Sequence, residues 1–147
     1  MYKNILVATD LSPKSCNALK EGVKYAHFFN SKIILVNVHE EFLNKNEMIM
    51  SRVSVEKLQE TFKNISIKAK NEIKHLIKEF DASDIDIHII LKEGKASSEI
   101  INISKQYKCD LIVVGANGKN SLSDFILGTS TENIVNHSDI PVLVIPN

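Results

Sequence analysis

The residues best placed to do chemistry are Gly115, Ala116, Asn117 and Gly118, then nine further residues, then Gly128, Thr129 and Ser130. Glycines at that spacing let backbone amides approach an oxyanion closely, and hydroxyls that follow can donate to it, so the pattern is that of a phosphate cradle. Asp10 follows the first apolar run, Ile5 to Ala8, where a carboxylate can accept hydrogen bonds from ribose hydroxyls. Asn37 and Val38 end the second apolar run, where backbone groups can meet the edge of a purine. Each has a plainer reading: glycines that only turn the chain, a threonine that only caps a helix, a solvated aspartate, an asparagine that closes a strand.

A parallel sheet is what would bring these positions together. Short apolar, β-branched runs at 5–8, 33–38, 85–90, 111–114 and 142–145 alternate with helical patterns, the signature of a sheet covered on both faces. Ser12-Pro13 pairs an N-cap hydroxyl with proline at the first helical position, and Ala18, Leu19, Val23 and Ala26 continue at helical spacing. Apolar positions spaced by threes and fours predict a long amphipathic helix over about 51–80, preceded by a polar loop at 40–50. A third helix is predicted over 95–107, with Ala96, Ile100, Ile103 and Tyr107 inward. Thr129 and Glu132 have the spacing of a capping box, which makes Thr129 the expected N-cap of a last helix over about 129–137. Ile85, Ile87 and Ile89 alternate with wetter positions, which suits an edge strand. Pro141 and Pro146 bracket the final strand, and Val142, Leu143 and Val144 would leave an apolar edge for a second copy of the chain.

At 147 residues the chain has the length of one domain, so a single unit over 1–147 is expected. Eighteen basic residues balance eighteen acidic ones, which removes the usual electrostatic reason to expect nucleic acid or an anionic membrane as partner. No run approaches about 20 apolar residues and no signal-peptide pattern opens the chain, so a cytoplasmic location is expected. The two cysteines, Cys16 and Cys109, lack zinc or CxxC spacing and are expected as reduced thiols.

Several catalytic patterns fail. A Walker loop ending at Gly94-Lys95 would need glycine at 89 and a hydroxyl at 96, where Ile89 and Ala96 stand. The dinucleotide pattern fails because Gly115 and Gly118 are separated by two residues rather than one. Ser123-Asp124 and His137 come without a nucleophile elbow. His39, Glu40 and Glu41 could touch a metal carried by a ligand, though a solvated loop explains them more simply. A phosphotransfer receiver is disfavoured because Asp10 lacks an acidic neighbour and no lysine ends the fifth strand.

Taken together, the opening Ile-Leu-Val-Ala-Thr-Asp, the strand end Asn37-Val38, the Gly94-Lys95-Ala96 turn, the Pro-Val-Leu-Val-Ile ending and the spacing G-x2-G-x9-G-[S/T] resemble the universal stress protein family over essentially the whole chain. The resemblance implies a flavodoxin-like, adenine nucleotide alpha hydrolase-like three-layer α/β sandwich with a five-stranded parallel sheet in the order 3-2-1-4-5. It further implies a homodimer paired through the last strand. In nucleotide-binding members it would make Asp10 the ribose contact, place Ala8, Asn37 and Val38 beside adenine, and give the phosphates of ATP to Gly115, Gly118, Gly128, Thr129 and Ser130, with Mg carried by those phosphates. The implied role is a nucleotide-responsive regulatory dimer of the stress response, with at most slow ATP hydrolysis; the alternative is a nucleotide-independent dimer module. Ala8, Leu11 and Ala96 depart from residues frequent in the family, and the first two lie on the adenine side.

Overall fold

A computed structural model describes residues 1–40, 55–117 and 127–147. The elements run β1 (Asn4–Ala8), α1 (Pro13–Phe29), β2 (Lys32–His39), α2 (Val55–Glu79), β3 (Ile87–Glu93), α3 (Ala96–Gln106), β4 (Leu111–Gly115), α4 (Thr129–His137) and β5 (Val142–Ile145). All strand pairs are parallel, and the order across the sheet is β3-β2-β1-β4-β5, as the resemblance implies.

Alternation along the strands divides the core into two layers, because successive side chains leave a strand on opposite faces. Ile5, Val7, Ile33, Leu35, Leu111 and Val113 pack with α1 and with Ile73 of α2. Leu6, Ile34, Val36, Ile112 and Val114 pack with Ile100 and Ile103 of α3 and Ile134 of α4. The inner strands are thus buried on both sides, which is why they read as unbroken apolar runs.

Helix ends follow the local sequence in one case and depart from it in two. Ser12 is the N-cap of α1 and accepts from Ser15 N at 3.2 Å, and Asn30 closes the helix in the left-handed region. The N-cap of α4 is Gly128, not Thr129. Gly128 has extended backbone and its carbonyl accepts the first helical bond, from Glu132 N at 2.9 Å, so the expected capping box does not form. At α3 the N-cap Lys95 contributes no side-chain bond; the Glu40 carboxylate accepts from Ala96 N instead, tying the end of β2 to the next helix on that face.

Strand β3 lies at the sheet edge, as expected, but two to three residues further along than its apolar alternation suggests. Its register explains the shift: it pairs with β2 from Ile33↔Ile87 to His39↔Glu93, so the longer neighbour sets its extent. Ile85 instead packs against the core before the strand begins. Residues 51–54 and most of the preceding loop at 40–50 lie outside the described residues, and α2 is described from Val55.

Candidate functional site

The carboxyl ends of β1, β2 and β4 meet at the middle of the sheet, where the chain reverses its direction of winding. Open α/β sheets bind ligands at such a switch point. Asp10, the Asn37-Val38 strand end, Gly115 and the start of α4 all belong to this edge.

Thr9, which the sequence reading passed over, is the hub of the first loop and is 4% exposed. Its N–H donates to Val36 O at 2.9 Å, and its carbonyl accepts from Asn37 Nδ2 at 2.8 Å. Its hydroxyl accepts from Leu11 N at 3.0 Å and lies 3.0 Å from Ser15 Oγ. Asp10 continues the pattern, since its Oδ1 accepts from Ser12 N at 2.9 Å. The amides of Leu11 and Ser12 are thereby satisfied by local side chains, and the carboxylate stands at the sheet edge just ahead of α1. Leu11 sits at φ +63°, a conformation that costs an L-residue roughly 1–2 kcal/mol and persists only where neighbours over-determine it.

Asn37 and Val38 do not point the same way. Val38 and Ala8 lie on the α3–α4 side of the sheet, half-buried against its core, whereas the carboxamide of Asn37 reaches Thr9 on the α1 side. Asn37 is 2% exposed, and its Oδ1 is buried without a hydrogen-bond partner among the described residues. An orphaned buried acceptor of this kind costs about 1–3 kcal/mol.

On the other side of the switch point the start of α4 is held against the end of β4. Gly128 N donates to Ala116 O at 2.9 Å, Ala116 N donates to Ile145 O at 2.8 Å, and Thr131 Oγ1 donates to Gly115 O at 2.8 Å. Because the first helical bond begins at Glu132 N, the amides of Thr129, Ser130 and Thr131 have no partner within the helix, and they carry the positive end of its dipole. Thr129 is exposed and Ser130 half-buried.

The plain reading of the glycines is testable on geometry. Neither Gly115 nor Gly128 has positive φ. A Cβ on Gly115 would come no nearer than 3.6 Å to any described atom, and one on Gly128 likewise no nearer than 3.6 Å. Both are ordinary contact distances, so among the described residues the fold does not itself demand glycine at either position. A cradle that a side chain would fill is the arrangement an anion requires. Gly118, Lys119, Ser123 and Asp124 lie outside the described residues.

The remaining candidates do not join this site. The Cys16 thiol opens on a groove of about 670 Å³ between the Leu11 loop and α2, on the α1 side of the sheet. Burial pushes the thiol pKa up, and the charges of Asp10, Glu79 and Glu72 push it further. Burial, aided by Asp110, raises Cys109 to about 11. Both cysteines are unpaired thiols. Glu40 is engaged at α3, and among the described residues no three His, Cys, Asp or Glu side chains gather as a metal site.

Fold and site together define a doubly wound α/β protein with a polar edge at its switch point. The model of the Universal stress protein family matches residues 1–146, and the chain belongs to that family. The universal stress protein MJ0577 of Methanocaldococcus jannaschii is 32% identical over 154 residues, covering 99% of this chain and 95% of that one. A solved structure of MJ0577 matches with a TM-score of 0.82 at 29% identity, over 100% of this chain and 97% of that one. UspA from Lactobacillus plantarum matches at 0.77 and 25% identity, over 98% and 97%. A universal stress protein solved in complex with cAMP matches at 0.69 and 19% identity, over 98% and 96%, and bears on the fold alone. No helix among the described residues is long and apolar enough to cross a membrane.

Proposed function

We propose that this chain is an ATP-binding regulatory protein of the stress response, a single domain over 1–147 acting as a cytoplasmic homodimer. The observation that carries the reading is the pair Gly115 and Gly128, at which the described fold leaves room for a side chain and the sequence supplies none. In this reading the amides of Gly115, Gly118 and Gly128 and the hydroxyls of Thr129 and Ser130 hold the phosphates. Asp10 takes the ribose, and Ala8 and Val38 flank adenine with the backbone of Asn37 beside it. Magnesium would be carried by the phosphates and water. The cAMP held by a protein of the same fold is a precedent for an adenine nucleotide and no more.

Binding at a ligand concentration 100 times Kd adds about 2.7 kcal/mol to the stability of the bound form, enough to bias a loop or a subunit contact. In this reading the output is a signal, with at most slow ATP hydrolysis.

The experiment is calorimetric titration of nucleotide-stripped protein with MgATP, repeated with Gly118→Trp and Gly128→Val. Micromolar or tighter binding that both substitutions abolish, with folding retained, supports the reading. No binding by the wild type would favour a nucleotide-independent dimer module, for which the apolar outer edge of β5 is the supporting feature.

A further inference from the structure

We infer that Thr9 and Asn37 form a clamp that sets the ribose selectivity of the site by fixing the peptide bond that leads into Asp10; the inference rests on the nucleotide reading above. The Thr9 N–H is tied to Val36 O and the Thr9 carbonyl to Asn37 Nδ2, so the peptides on both sides of residue 9 are bonded to adjacent residues of β2. The Thr9 hydroxyl engages Leu11 N and Ser15 Oγ, and Asp10 Oδ1 engages Ser12 N. Little rotational freedom remains between the sheet and the carboxylate. A hydrogen bond to a ribose hydroxyl needs a fixed acceptor, and pre-organisation of this kind turns the bond into affinity rather than into lost entropy.

The chemistry of Asn37 argues that the clamp is its purpose. It stands in a strand between Val36 and Val38, 2% exposed, with its Oδ1 unpartnered among the described residues. Leucine has nearly the same shape and would bury no orphan acceptor, so packing alone does not account for a carboxamide here. What the carboxamide alone supplies is the donor to Thr9 O. Its side chain lies on the sheet face opposite Val38 and Ala8, so Asn37 acts through Thr9 and is a positioning residue.

The test is the ratio of two affinities, measured by calorimetry for wild type, Asn37→Leu and Thr9→Val with the magnesium complexes of ATP and 2′,3′-dideoxy-ATP. The wild type is expected to prefer ATP by about tenfold, the worth of one charge-assisted hydrogen bond. In each variant the preference collapses towards one, while the dideoxy nucleotide binds within about threefold of wild type. Equal losses on both nucleotides, the mark of a merely structural role, overturn the clamp and leave the nucleotide reading standing. So does an unchanged preference, or a wild type that binds both equally. A wild type that binds neither overturns the nucleotide reading and the clamp with it. Should one variant fail to fold, the other decides alone, because each removes a different arm of the same loop.

Discussion

Thr131 Oγ1 donates to the carbonyl of Gly115 at 2.8 Å, joining the first turn of α4 to the last residue of β4 across sixteen positions of sequence. With the bond from Gly128 N to Ala116 O, it fixes where the first amides of α4, which have no partner within the helix, sit relative to the sheet edge. Thr131→Val keeps the shape and removes the donor. It should lower stability by about 1 kcal/mol, a Tm shift of about 4 °C for a chain of this size. MgATP affinity should fall with it, while Thr131→Ser should retain both properties. Unchanged melting and unchanged affinity in Thr131→Val would mean that the bond does not hold the helix start.

Glycine is sterically required at a position remote from the site. A Cβ on Gly22 would lie 2.5 Å from Cγ2 of Val7, so α1 lies this close to β1 only because residue 22 has no side chain. Alanine there gains about 0.8–1 kcal/mol in helix propensity but meets an overpacking cost of about 1–3 kcal/mol. The expected net effect of Gly22→Ala is destabilisation by urea denaturation. Val7→Ala removes the clashing methyl, so the double variant should lose less than the two single losses combined. Strict additivity would refute the contact.

How much of this was legible beforehand follows from where each signal lives. The inner strands announce themselves because burial on both faces leaves only apolar, β-branched residues, as in Leu111 to Val114. The strand order came from the family resemblance, since periodicity carries no information about which strands pair. The opposed directions of Asn37 and Val38 were implicit in the two-residue period of a strand. The bond from Asn37 to Thr9 was not, because it joins residues 28 apart in sequence. The cap of α4 was misassigned to Thr129 because a capping box is a local pattern, whereas the actual start is set by Gly128 N reaching Ala116 O. Thr131 was missed for the same reason: its partner is a carbonyl that only the tertiary fold brings near. The glycines proposed here for the phosphates rest on spacing, to which the structure adds only the room at Gly115 and Gly128, and Gly118 lies outside the described residues.

The thiols give a pH dependence with a definite sign. Burial raises the pKa of both Cys16 and Cys109 above the ordinary 9.0, Cys109 to about 11. Above pH 9 the folded chain therefore holds thiol protons that the unfolded chain has released. Stability from these groups is complete below that pH and declines as pH rises through the alkaline range. Urea melts at increasing alkaline pH should show the decline, and replacing Cys109 by alanine should flatten it. Iodoacetamide at pH 8 should modify native protein slowly, Cys16 before the buried Cys109. Labelling of native Cys109 at the rate of a small free thiol would contradict both the burial and the raised pKa.

The two edges of the sheet are not alike, and the difference bears on assembly. On β3 the outermost strand carries exposed His88 and Lys92, the kind of polar edge that discourages pairing with another chain. On β5 all four residues, Val142 to Ile145, are apolar and half-buried, and among the described residues only β4 pairs with them. An uncharged strand edge of this kind invites pairing with a second copy, which is the contact proposed above for the homodimer. The expected species in sedimentation velocity at micromolar concentration is a dimer. Lysine at position 144 puts a charge at the centre of the strand, so Val144→Lys should sediment as a monomer that remains folded by circular dichroism. The same substitution at the opposite edge, Ile90→Lys, should leave the dimer intact. A wild type that stays monomeric with and without MgATP would remove β5 as the subunit contact. A dimer indifferent to Val144→Lys but split by Ile90→Lys would move the contact to the other side of the sheet.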